Sequence, residues 1–271
     1  MTTSLLDVRD LTTRYPVGSS IIGRTRYREI LHGVSFDIAP GETLGLVGES
    51  GSGKSTIGRA ILRLVPVQSG TISFQGDDIS AWGRSTPVRY RRAVQVVFQN
   101  PLASLNPRML VREIIGEAVT FHRKVRGPAL EAAVLELLDD VNLTRAHADR
   151  YPYELSGGQQ QRVAIARSLV ASPELLICDE AVSALDVSTQ YQVITLLRRL
   201  QAERGLSYLF ISHDLGIVRS LCDRVGVLKA GELVEIGDVR SIFEAPRHEY
   251  TRELLAAVPH LPAAPSKGTT P

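Results

Sequence analysis

A chain of 271 residues with 31 basic and 29 acidic side chains carries a net charge of only +2, too weak a field to gather nucleic acid. That length is enough to bury a large α/β core and leave room for a subdomain. The two cysteines, Cys178 and Cys222, have neither C-x-x-C nor zinc spacing; two buried free thiols in a reducing compartment are expected, with one disulfide as the alternative.

In chain order, "LLDVRDLTTRY" alternates as a strand, "PVGSSIIGRTRYRE" has the composition of a loop, and "ILHGVSFDI" alternates again before the turn "APGE". "TLGLVG" is a short apolar strand of the buried kind, and "GKSTIGRAILRLV" has helical periodicity. "GTISFQG" and "AVQVVFQ" are further strands. From about Leu105 to Ala166 the pattern is helical, with "VREIIGEAVTF" and "ALEAAVLELLDDV" the clearest stretches. Strands and helices then alternate through "ELLICDE", "TQYQVITLLRRLQAE", "LSYLFISH" and "LGIVRSLC". That alternation predicts a mainly parallel sheet covered on both faces, with the helical block as an insertion. The closing "HLPAAPSKGTTP" has a disordered composition. The opening "MTTSLLDVRD" lacks the basic flank and apolar run of a signal peptide. No apolar run approaches the ~20 residues of a membrane helix, so attachment to a membrane is expected only through partners.

"GLVGESGSGKST", Gly45 to Thr56, fits G-x-x-x-x-G-K-S with Gly48, Gly53, Lys54 and Ser55, after a strand and at the start of a helix. Glycines let successive N–H groups wrap a phosphate chain, and the helix start adds its positive dipole end. Lys54 can reach the terminal phosphates and the Ser55 hydroxyl can ligate Mg²⁺. Residues Gly48, Glu49, Ser50, Gly51, Ser52, Gly53, Lys54, Ser55 and Thr56 are therefore assigned to a nucleotide, which a kinase, a GTPase or a transport ATPase would each bind this way. The metal's second partner is expected to be an acid at the end of another apolar strand, and "LLICDE" supplies Asp179. Glu180, one residue on, is the candidate general base for the attacking water. In "LSGGQQQR", Ser156 and Gln159 form a capping box opening a helix. Gly157 and Gly158 are poor helix formers and make sense where an anion approaches bare N–H groups.

With these residues in order, the sequence resembles the ATP-binding-cassette family, whose signature reads LSGGQ. The resemblance extends from about Leu6 to Val258. "VVFQNP" with Gln99 is similar to the Q-loop, "SALD" ending at Asp186 to the D-loop, and "ISHD" with His213 to the switch histidine. Tyr15 stands where the family places an aromatic that stacks on adenine. The resemblance implies an α/β P-loop NTPase fold with a mainly parallel core sheet, an amino-terminal antiparallel β subdomain and an inserted α-helical subdomain. The implied domains are 1–104 with 167–237 as nucleotide core, 105–166 as helical signature subdomain, 238–259 as a carboxy-terminal extension and 260–271 as a disordered tail.

It also implies a mechanism that needs a second ATPase chain, a copy or a paralogue. Each ATP would lie between one P-loop and the Ser156, Gly157, Gly158 and Gln159 tip of the opposite protomer, with Asp186 across the seam. Ser55, Gln99 and Asp179 would serve Mg²⁺; Glu180, His213 and Gln99 would serve hydrolysis. Finer matches, including the tail "EAPRHEYTRELLAAVP", resemble the ATPases of dipeptide and oligopeptide importers, a group that also takes nickel and glutathione. Two departures stand out: Glu249 replaces proline in H-P-Y-T, and Ala181 stands where many members have proline. Some relatives carry an iron–sulfur cluster on carboxy-terminal cysteines; those cysteines are missing, so no cluster is expected.

The implied function is the ATP-hydrolysing subunit of an importer for dipeptides or oligopeptides, with nickel, glutathione or another small solute as alternatives. The implied location is the cytoplasmic face of the cell membrane, peripherally, on two permease subunits fed by an extracytoplasmic solute-binding protein. A soluble cassette acting on ribosomes or DNA lacks its usual second cassette or coiled coil here. A nucleotide kinase or GTPase would leave "LSGGQQQR" and His213 unexplained.

Overall fold

The computed structural model describes residues 4–17, 26–83 and 85–257. The tail expected at 260–271 and the centre of the loop expected at 16–29 lie outside the described residues. The chain falls into two compact units, residues 1–83 with 209–271 and residues 84–208.

In the first unit, β1 (Leu6–Val17) pairs antiparallel with β2 (Arg26–Ile38). Pairing reaches Pro16↔Tyr27 and Val17↔Arg26, so both strands run into the expected loop; backbone ladder bonds outweigh the local composition there. β1 buries Leu6 and Val8, then Leu11 and Thr13, a pattern that slips by one residue. The slip is taken up by a register shift between Val8 and Leu11, with Asp10 at φ 47, a bulge that returns the apolar side chains to one face. The Ser35 hydroxyl accepts the Asp10 N–H at 2.8 Å.

Next, β3 (Thr43–Val47) is buried along its whole length and runs through the glycine-rich turn into α1 (Lys54–Ile61). A Cβ at Gly45 would meet Cys222 Sγ at 2.8 Å, so this glycine serves helix-on-strand packing rather than a ligand. β4 (Val67–Phe74) returns to β1, and β5 (Asp77–Asp78) to β4, completing an antiparallel sheet ordered β2–β1–β4–β5.

The second unit opens with α2 (Val88–Ala93) and β6 (Val94–Phe98). Its helices are α3 (Pro101–Ser104), α4 (Val111–Arg123), α5 (Pro128–Asp140) and α6 (Gly157–Leu169). They bury Ile115, Val119, Leu137, Leu138 and Val163, the stripes that the helical periodicity predicts. Lys124, at φ 56, stops α4, and Pro128 opens α5 at its first turn. β7 (Leu175–Asp179) pairs parallel with β6, and α7 (Val187–Arg204) follows. Neither cysteine is in a disulfide and both are buried; burial, helped by the Asp179 charge, pushes the Cys178 thiol up to about 12.

The chain crosses between the units within β8 (Ser207–Ile211). The first unit then adds α8 (Leu215–Leu221), β9 (Arg224–Lys229), β10 (Glu232–Asp238), α9 (Val239–Glu244) and α10 (Glu249–Ala256). Here the strand order is β10–β9–β3–β8, with β9 parallel to β3 and β10 antiparallel to β9. No strand is predicted from sequence over β9 and β10. They meet through a two-residue turn with Ala230 at φ 47 and Gly231 at φ 88, the left-handed pair that a tight hairpin needs.

Candidate functional site

In the first unit, the loop between β3 and α1 takes its shape from glycines at positive φ. Gly48 lies at φ 147, where a Cβ would come within 2.0 Å of the Leu228 carbonyl oxygen. Gly53, at φ 110, occupies the N-cap position of α1 and brings no capping side chain to that helix start, the end of a helix that favours an anion. Lys54 is 5% exposed, and its Nζ donates to the Gly48 carbonyl at 2.7 Å and the Glu49 carbonyl at 2.8 Å. Such bonds offset the desolvation that a buried ammonium suffers. The loop thus holds its one cation at its own centre.

Two further ties fix the loop from outside. Gly231 in the hairpin turn donates its N–H to the Ser52 carbonyl at 2.8 Å, and the Glu49 N–H donates to the Tyr250 hydroxyl at 3.2 Å. His213 is exposed just past β8. Its predecessor Ser212 donates an N–H to Leu46 of β3 at 3.2 Å, and its successor Asp214 caps α8 by accepting the Ile217 N–H at 3.0 Å. Tyr15, near the end of β1, is half-buried, and its enclosed hydroxyl has no hydrogen-bond partner among the described residues.

The second unit gathers the remaining candidates. The register pair Phe98↔Asp179 ends β6 and β7 side by side, which sets Gln99 and Glu180 at neighbouring carboxyl ends of parallel strands. Ligands of such sheets bind at those ends. Glu180 lies at φ 51, a left-handed conformation that costs a non-glycine residue roughly 1–2 kcal/mol. The Glu180 carbonyl accepts the Ser183 N–H at 3.1 Å and its hydroxyl at 3.0 Å. Gln99 Nε2 donates to the same Ser183 oxygen at 3.2 Å. Ser183, named from the sequence only as the start of "SALD", therefore bridges Gln99 to Glu180.

Asp186 caps α7, accepting the Thr189 N–H at 3.0 Å, the Thr189 hydroxyl at 2.6 Å and the Ser188 hydroxyl at 2.7 Å. Those bonds, from Thr189 first and then Ser188, hold its carboxyl well below the usual carboxylate range. Ser156 caps α6: its Oγ accepts the Gln159 N–H at 3.3 Å while Gln159 Oε1 accepts the Ser156 N–H at 3.0 Å. The capping box expected from the sequence is present.

Gly158 has a reason that the sequence does not show. A Cβ there would lie 2.2 Å from Thr189 Cγ2, so the start of α6 packs directly on the start of α7. Gly158→Ala is expected to destabilise the protein by about 1–3 kcal/mol through overpacking. Thr189→Ser in the same chain deletes the clashing methyl and keeps the hydroxyl, and is expected to restore most of that loss. Denaturant melts of the single and double variants check this; a double variant no more stable than Gly158→Ala would contradict it.

A family model described as ABC transporter matches residues 31–183. The glutathione import ATP-binding protein GsiA of Escherichia coli (strain K12) is 51% identical over 256 residues, covering 94% of this chain and 41% of that protein. GsiA of Salmonella paratyphi A (strain ATCC 9150 / SARB42) is 50% identical over a span of the same length and coverage. The chain thus spans 41% of the length of these curated relatives. Among solved structures it is similar to the ATP-binding cassette MJ0796, seen as a dimer in a post-hydrolysis state bound to ADP and Pi. That match has a TM-score of 0.74 and 30% identity, and covers 87% of this chain and 99% of the other. It is also similar to cbiO1 from Clostridium perfringens, part of the ABC transporter complex cbiONQ, with a TM-score of 0.76, 28% identity, and 94% and 96% coverage. With a family model matched over residues 31–183, more than half of its length, the chain belongs to the ABC transporter family.

Proposed function

We propose that this chain binds and hydrolyses ATP to drive solute import through separate membrane subunits, working in pairs with a second cassette. The observation that carries the reading is the loop at residues 48–56. Its backbone is bent by positive-φ glycines, its lysine is buried at the centre, and it opens a helix whose N-cap is a glycine. In this role the amides of the loop and Lys54 hold the phosphates. Glu180 takes the proton of the attacking water, Gln99 orients that water, and His213 meets the terminal phosphate. Mg²⁺ bound with the nucleotide would offset phosphate charge, and Ser55, Asp179 and Gln99 offer the hydroxyl, carboxylate and amide oxygens such a hard ion takes. Tyr15 would stack on the adenine. Ser156, Gly157, Gly158 and Gln159 would engage the nucleotide of the opposite cassette, with Asp186 at the seam.

Peptide-sized solutes are the proposed cargo. The names of the relatives favour glutathione, itself a tripeptide, within that class. No described helix is long and apolar enough to cross a membrane, which fits peripheral attachment to permease subunits at the cytoplasmic face.

Cells lacking this chain are expected to lose uptake of labelled glutathione or dipeptides, and to regain it with the intact chain but not with a Glu180→Gln copy. Purified protein is expected to release phosphate from ATP. Normal uptake of every peptide tested in the deleted cells would overturn the cargo, and absence of nucleotide binding would overturn the whole reading.

A further inference from the structure

The segment after β10 folds back onto the nucleotide loop within the first unit. Arg247 and His248 both donate their N–H groups to Glu235 of β10, at 2.8 and 3.1 Å, which clasps the segment just before α10. His248 then caps α10 by accepting the Tyr250 N–H at 3.1 Å. Tyr250 is 4% exposed. Lys229, at the end of β9, stands over its ring with Nζ 4.5 Å from the centroid, close enough for a cation–π attraction. Its hydroxyl accepts the Glu49 N–H at 3.2 Å.

The contact is placed to matter. Glu49 follows Gly48, whose α-carbon sits against the Leu228 carbonyl, and its own carbonyl accepts from Lys54. Lys54 also donates to the Gly48 carbonyl at 2.7 Å, so the Gly48–Glu49 peptide unit is held on both sides, by Tyr250 at its N–H and by Lys54 at its C=O. The Gly231 N–H pins the loop three residues later, at Ser52. Loss of the phenol leaves the Glu49 amide with one tie fewer, beside the carbonyl that Lys54 grips.

The geometry points to Tyr250 as a positioning residue for the nucleotide loop: its hydroxyl sets the Glu49 peptide, and through it the seat of Lys54, so the carboxy-terminal extension supports the phosphate site. This rests on the nucleotide reading of the loop. Burial pushes the Tyr250 phenol up, and the charges of Glu49 and Glu253 add to it against the lowering effect of the amide bond. The phenol therefore stays neutral across the physiological range and its lone pairs remain available. Burial also pushes Glu235 up, but the bonds it accepts, those from Arg247 and His248 among them, leave it below its ordinary value, so the clasp stays ionised.

Tyr250→Phe removes the hydroxyl and leaves the ring under Lys229. One lost hydrogen bond is expected to weaken binding of fluorescently labelled ADP about fivefold. The nucleotide-free melting temperature should shift little, and exchange of the Glu49 amide, followed by NMR, should accelerate. Glu235→Ala, which opens the clasp, is expected to weaken ADP binding in the same direction. Wild-type affinity in Tyr250→Phe would overturn the assignment while leaving nucleotide binding intact. Weaker binding that tracks a lowered melting temperature, with Glu49 exchange unchanged, would reduce Tyr250 to packing and overturn it too. A wild-type chain that bound no ADP would remove the nucleotide reading first, and this assignment with it.

Discussion

Glu180→Gln is expected to slow ATP turnover by about 10²–10⁴-fold, the usual contribution of a positioned general base, while nucleotide binding survives. The amide matches the carboxylate in shape but cannot accept the proton of the attacking water. The backbone that aims this side chain is held independently of its charge: φ 51 at Glu180, two bonds from Ser183 to its carbonyl, and Gln99 on the Ser183 hydroxyl. Folding should therefore be almost unaffected. With binding intact and hydrolysis stalled, ATP should accumulate on the protein and prolong the closed pair of cassettes. Phosphate release and retained nucleotide, measured on one preparation, check both halves. A variant turning over at a tenth of the normal rate or faster would transfer the base role elsewhere.

Lys54→Ala is expected to lower nucleotide affinity at least about tenfold, because a charge-assisted bond to phosphate contributes roughly 1.5–3 kcal/mol. The loss has two parts. The phosphates lose their cation, and the Gly48 and Glu49 carbonyls lose a donor that the loop is built around. Lys54→Arg is not expected to rescue binding, since a planar fork cannot occupy the seat of a compact ammonium that is 5% exposed. Calorimetric titration with ADP measures the effect; wild-type affinity in Lys54→Ala would contradict it.

Legibility in the sequence followed the range of each interaction. The glycine-rich loop, the acids ending "LLICDE" and the capping box of "LSGGQQQR" are local patterns, and each occupies the predicted kind of element. The alternation of strands and helices likewise foretold an α/β fold with a mainly parallel core, and the family resemblance implied the antiparallel sheet near the amino terminus. The β9–β10 hairpin escaped because its turn is Ala230–Gly231; alanine at a left-handed position is a weak signal where asparagine or aspartate is a strong one. Gly158 carried a double meaning, since Thr189 lies far along the chain and only the fold brings its methyl group within reach. The Tyr250–Glu49 bond joins residues 201 positions apart, beyond any periodic pattern. In the sequence Tyr250 stands out only as part of the importer-like tail "EAPRHEYTRELLAAVP".

The most direct measurement of the central claim, that this loop seats a nucleotide's phosphates, is a crystal structure of the Glu180→Gln chain with ATP and Mg²⁺. Phosphate oxygens on the amides of Gly53 to Thr56, with Lys54 Nζ turned from the Glu49 carbonyl toward them, are the predicted result. A triphosphate held elsewhere, with Lys54 still bound to its own loop carbonyls and the start of α1 empty, would contradict it.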